Sequence, residues 1–160
     1  MPHATGDRLN ASDLNLHAAK YASLAAQTIA NTTLTKIVLA TLRYNYGTAI
    51  TINSPTFTEL TLTRTGLYAI GGGLQMAGMN NELYVWVGNS ASTTPANRFA
   101  QQQIPNLSGD LPSISVSVDH YFSAGDKISL WCWHNHGSAR DTTVTADILP
   151  YLYARYLGDG

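Results

Sequence analysis

From Thr32 to the end of the chain, apolar and polar residues alternate with a period of two, in one short run after another. Successive side chains of an extended strand point to opposite faces, so this pattern is what half-buried β-strands require. The runs are Leu34–Tyr44, Thr48–Asn53, Thr56–Arg64, Gly66–Ala77, Glu82–Val87, Asn97–Ile104, Ser113–Phe122, Lys127–Trp133, Thr142–Leu149 and Tyr151–Leu157. Turn formers such as Tyr46-Gly47 and Ser54-Pro55 separate them. About ten antiparallel strands with no helical period between them predict an all-β sandwich or barrel.

The faces of these runs say more than their number. Ser113–Phe122 places Ile114, Val116, Val118 and Phe122 on one side and Ser115, Ser117 and Asp119 on the other. One such side faces a core and the other faces water. Lys127–Trp133 differs, because Trp131 and Trp133 oppose the aliphatic row Ile128, Leu130 and Cys132. Tyr84 and Trp86 likewise oppose Leu83, Val85 and Val87, and Tyr151 and Tyr153 oppose Leu152 and Ala154. A two-layer sandwich buries only one face of each strand. The second set of aromatics therefore needs another cover, for which a second subunit is the simplest candidate. Trp131, Trp133, Tyr84, Trp86, Tyr151 and Tyr153 are the expected oligomer contacts. Flat aromatic platforms for sugar rings are the rival use, with Gln101-Gln102-Gln103 supplying polar contacts.

The front of the chain reads differently. Ala11–Ala30 is alanine-rich, opens on the helix-starting Ser12 or Asp13, and sets Leu14, Tyr21, Ala25 and Ile29 on one helical stripe at three-or-four spacing once Ala18 and Ala22 fill it. A short helix or arm is expected, with residues 1–33 as an attachment segment and 34–160 as the β-domain. Leu14, Tyr21, Ala25 and Ile29 would form its docking stripe.

Composition narrows the function. Charged residues make up 12% of the 160 residues, about half of the typical 25%. Weak repulsion between copies suits a protein packed against its own kind. A net charge of −1 with scattered Lys and Arg argues against nucleic acid as a partner. No apolar run approaches the roughly 20 residues that would span a bilayer as a helix, so membrane insertion is not expected. The start Met1-Pro2-His3-Ala4-Thr5-Gly6-Asp7 lacks the basic and apolar regions of a signal peptide. A single cysteine, Cys132, forms no intrachain disulfide. The expected place of synthesis is a reducing cytoplasm.

No catalytic, cofactor-binding or metal residues are assigned. Cys132, His134 and His136 share one side of a strand and could approach a metal, but they run into the Gly137-Ser138 loop. Asp110, Asp126 and Asp141 lie in no dense acidic loop of the kind calcium needs. Asp119 and His120 are neighbours and point to opposite faces, a poor dyad. No Gly-x-Ser-x-Gly elbow occurs. Gly71-Gly72-Gly73 lacks the lysine of a phosphate loop and fits instead a strand that another group approaches closely. The expectation is a protein that is not an enzyme and carries no cofactor.

From Gly66 onward the chain resembles the globular-head jelly roll of the complement and tumour-necrosis-factor superfamily. The resemblance is carried by Gly66-Leu67-Tyr68, Leu83-Tyr84-Val85, Arg98-Phe99, Ile114–Val118 and the run Phe122-Ser123-Ala124-Gly125-Asp126-Lys127-Ile128-Ser129-Leu130. The closing strand departs from the pattern, with Asp147-Ile148-Leu149-Pro150 where a small residue is usual. The segment Gly6–Asn15 is similar to the openings of minor tail and fibre proteins of tailed bacteriophages. These likenesses imply a jelly-roll homotrimer serving as a virion component, such as a head decoration or a tail or fibre module, docked on other virion proteins through its N-terminal segment. A receptor-binding tip for a host-surface glycan is the first alternative, and a secreted ligand-like trimer the second.

Overall fold

A computed structural model describes residues 16–90 and 97–159. Its strands are β1 (Ala18–Ala22), β2 (Thr28–Ile29), β3 (Thr35–Lys36), β4 (Thr41–Tyr46), β5 (Ile50–Ile52), β6 (Leu60–Leu62) and β7 (Gly66–Gln75). They continue as β8 (Met79–Asn89), β9 (Arg98–Asp110), β10 (Ser113–Phe122), β11 (Lys127–His134), β12 (Arg140–Asp141) and β13 (Tyr151–Gly158). Among the described residues these form a first sheet in the order β10-β7-β13-β1-β4 and a second in the order β5-β6-β11-β8-β9. The short β3 pairs with β11 on the second sheet, and β12 pairs with β2. Every pairing is antiparallel. The chain passes repeatedly from one sheet to the other, as at β7 to β8 and β10 to β11, which is the jelly-roll path.

The alternation read from the sequence is what packs the two sheets. Ile70, Ile114, Val116, Leu152 and Ala154 of the first sheet meet Leu83, Val85, Val87, Ile128, Leu130 and Cys132 of the second. Each large aliphatic side chain buried this way stabilises by about 1.5–3 kcal/mol. Tyr68, Phe122 and Tyr156 close one end with edge-to-face contacts, Tyr68 lying 6.0 Å from Phe122 and 5.1 Å from Tyr156. The Ser123–Asp126 turn joins β10 to β11. Gly125 takes a φ of 96°, and the Asp126 carboxylate accepts a hydrogen bond from the Ser123 amide at 2.8 Å.

Two expectations are corrected. The described part of the alanine-rich segment is not a helix. Ala18–Ala22 is a strand with β13 on one side and β4 on the other, so it lies inside the first sheet. Two-sided backbone pairing outweighs the modest helix preference of alanine. Tyr21 and Ile29 are core residues and Ala25 is exposed, so these three make no common stripe. Leu14 lies outside the described residues. A boundary at residue 33 would therefore cut through the sandwich. The second correction concerns Thr142–Leu149, which is expected to be a strand. Only Thr142 makes a bridge, to Met76, and Thr145 to Ile148 is a turn closed by a 2.9 Å backbone hydrogen bond.

Candidate functional site

The six aromatics expected at a subunit contact divide between the two outer faces of the sandwich. Tyr151 and Tyr153 lie on the first sheet, and Tyr84, Trp86, Trp131 and Trp133 on the second.

On the first sheet, strand register builds rows across the outer face. One runs Tyr44–Lys20–Tyr153–Gly71–Ser117 and another Ala22–Tyr151–Gly73–Ser115. Tyr44 and Tyr46 stack with centroids 5.7 Å apart, and Tyr151 and Tyr153 stack at 6.4 Å. The Lys20 ammonium sits 4.3 Å above the Tyr151 ring. Burial raises the Tyr44 and Tyr151 hydroxyl pKa values, and the neighbouring Tyr153 adds to both shifts. Tyr46 and Tyr121 are half exposed. Tyr151 and Tyr153 stand on the central strand β13, with the glycines of β7 and the serines of the edge strand β10 to one side, Tyr44 and Tyr46 on the other edge strand β4, and Lys20, Arg155 and Asp119 among them. Gly71 and Gly73 have the role expected of the triple glycine. A Cβ at Gly71 would stand 2.7 Å from the Tyr153 ring and from the Val116 carbonyl.

On the second sheet the rows are Gln103–Tyr84–Trp133 and Gln101–Trp86–Trp131–Lys36. Trp131 and Trp133 do point away from the core row of Leu130 and Cys132, as alternation requires. The expectation that Trp131 stands exposed until a second subunit covers it is corrected. Trp131 is 5% exposed and Trp86 3% within one chain. The two indoles stack with centroids 6.1 Å apart and planes 4° apart. Arg98 lies 4.3 Å over Trp86, and the Lys36 ammonium 5.2 Å from Trp131. Lys36 is itself held by Glu59 at 2.7 Å, with Lys127 at 3.6 Å on the other carboxylate oxygen. Lys36 lowers the Glu59 pKa. Tyr84 and Trp133 meet edge to face at 5.3 Å and are only half-buried. Leu34, Tyr84, Trp86, Arg98 and Trp133 line a groove of about 300 Å³.

The residues considered for chemistry are occupied otherwise. Cys132 is fully buried, and burial pushes its thiol up to about 12. His134 donates from Nε2 to the Ile29 carbonyl at 3.0 Å, and its Nδ1 accepts from the His136 amide at 3.3 Å. Both ring nitrogens are thereby used, and burial lowers the His134 pKa. His136 Nδ1 accepts from the Asn80 amide. Asp126 caps its turn, Asp141 accepts from the Thr28 hydroxyl at 2.6 Å, and Asp110 lies near the Ser108 amide. Among the described residues no three His, Cys, Asp or Glu side chains gather as metal ligands would. His120 packs against Phe99 at 4.7 Å while Asp119 faces the other way.

Sequence reasoning passed over Tyr44, Tyr46 and Arg98. Tyr44-x-Tyr46 repeats the spacing of Tyr151-x-Tyr153 and carried the same signal. The place of Arg98 over Trp86 depends on the β8–β9 register, which no local pattern discloses.

No protein-family profile matches this sequence, and no curated protein is similar to it. Solved structures of similar fold exist. The Eiger TNF of S. frugiperda superposes with a TM-score of 0.63 at 11% identity, over 91% of this chain and 94% of that one. Murine APRIL at pH 5.0 gives 0.62 at 10% identity, over 89% of this chain and 99% of its own. At these identities the likeness is one of fold: a jelly roll of the tumour-necrosis-factor type.

Proposed function

We propose that this chain is a non-enzymatic homotrimeric jelly-roll module, joined through the outer face of its first sheet, that works by presenting surfaces to partners. The observation that carries this is the outer face of β4, β1, β13, β7 and β10, which has Tyr151 and Tyr153 on its central strand and leaves Tyr44, Tyr46 and Tyr121 exposed in the single chain. Aromatic rings spread across one sheet face are what a neighbouring copy can cover, and tyrosine is favoured at interfaces. Such burial would add association energy without new chemistry, in keeping with histidines and a cysteine already committed to structural bonds and core packing.

We place the module first in a virion, as a head or tail appendage held through its N-terminal segment and made in the host cytoplasm. The similarity of Gly6–Asn15 to phage tail and fibre openings and the charge-poor composition support this setting. A second reading, a ligand-like trimer, is supported by the shared fold with Eiger TNF and APRIL. Mass spectrometry of purified particles and of the particle-free fraction separates the two. The virion reading expects the chain in fixed stoichiometry with particle proteins. Recovery only as free protein would overturn it and leave the ligand-like reading.

A further inference from the structure

We propose that the groove between Tyr84, Trp86, Trp133 and Arg98 on the outer face of the second sheet is a binding site for a carbohydrate, taking an uncharged pyranose ring. The site lies on the face opposite the proposed subunit contact and stands whether the trimer is a virion part or a ligand.

Its size matches a small occupant. A volume of about 300 Å³ lies at the small-molecule end of the range for ligand sites. It suits one or two sugar rings. The chemistry of the walls narrows the class. A pyranose has C–H faces that lie well on aromatic rings and an equatorial rim of hydroxyls that needs hydrogen bonds in the ring plane. Tyr84 and Trp133, edge to face and half-buried, supply the aromatic surface. The paired strand β9 sets Gln103 beside Tyr84 and Gln101 beside Trp86, so planar amides flank the rings in register. Both glutamines are exposed. Gln103 makes one long contact, 3.4 Å to the Glu82 carboxylate, leaving most of its amide for a ligand. Arg98 bonds the Gln101 carbonyl through Nη1.

Charge argues against the other small ligands of aromatic sites. A quaternary ammonium would meet the Arg98 guanidinium already seated over Trp86. Beside the Gln103 amide, an anionic sugar substituent would meet the Glu82 carboxylate, which contacts Gln103 at 3.4 Å and Asn135 at 3.3 Å. A neutral ring meets neither penalty.

The test uses the full chain and a panel of immobilised neutral and acidic oligosaccharides, followed by titration of the best neutral ligand with tryptophan fluorescence as readout. The expected result is saturable binding that perturbs the indoles. Combined Tyr84→Ala and Trp133→Ala should weaken it at least tenfold with the native mass unchanged. Gln103→Ala, on an exposed position with little influence on folding, should weaken it severalfold and serves if the aromatic variant fails to fold. Tyr151→Ser on the opposite face should leave the affinity of each groove as it was. Absence of binding across the panel, binding only to acidic sugars, or unchanged affinity in Gln103→Ala would overturn the proposal. Loss of the trimer in the folded aromatic double variant would also overturn it, by making the groove a subunit contact.

Discussion

Tyr153 lies across Gly71 of the adjacent strand, so closely that a Cβ at Gly71 would stand 2.7 Å from its ring and from the Val116 carbonyl of the strand beyond. The tyrosine can lean away, but the carbonyl belongs to a paired backbone and cannot. Gly71→Ala is therefore expected to destabilise the fold by about 1–3 kcal/mol, the usual cost of overpacking. The urea midpoint should fall, and an unchanged midpoint would mean that the strands yield more readily than this packing implies.

Tyr44 and Tyr46 are the exposed end of the same face, and removing them should affect association rather than folding. Tyr44→Ser with Tyr46→Ser is expected to preserve the far-ultraviolet β signal and to weaken the trimer at least tenfold, as loss of interface aromatics commonly does. Sedimentation across a dilution series measures this.

Much of this architecture is legible in the alternation of residues. Ser113–Phe122 forms the strand its pattern requires, and Lys127–Trp133 does so within one residue. The front of the chain misleads because alanine is small enough for either a helix or the middle of a sheet. Tyr21 and Ile29 satisfy a helical spacing while serving two different strands. Thr142–Leu149 carries β-branched residues, but its turn at Thr145–Ile148 is a backbone event before Pro150. At the aromatic faces, alternation gives the direction of Trp131 correctly. It cannot show that Lys36 and Arg98, distant in sequence, arrive over the indoles.

The Glu59 ion pairs should give a modest acid sensitivity. Its pKa is lowered, first by the hydrogen bond from Lys36, so it stabilises the fold above the unfolded value of about 4.3. That contribution is lost as pH falls through the lower folded value. Both pairs are partly exposed, so the effect at neutral pH is no more than about 1 kcal/mol. Glu59→Gln should lose up to that amount at pH 7 and converge with the parent below the folded pKa. Denaturant unfolding at several pH values checks the sign, which a parallel offset at every pH would contradict.

Cys132 should be inert in the folded protein. Its thiol is fully buried and held up to about 12, so almost no thiolate exists at pH 8. A chromogenic disulfide reagent is expected to react only as fast as the chain unfolds, with one thiol per chain released in denaturant. Rapid reaction of the native protein would place the cysteine outside the core.

The native mass of the full chain tests the central claim most directly. At micromolar concentration and moderate salt, sedimentation equilibrium or native mass spectrometry is expected to give three copies of the 17.3 kDa chain. A stable, well-folded monomer under those conditions would contradict the assembly and with it the role assigned to the tyrosine face.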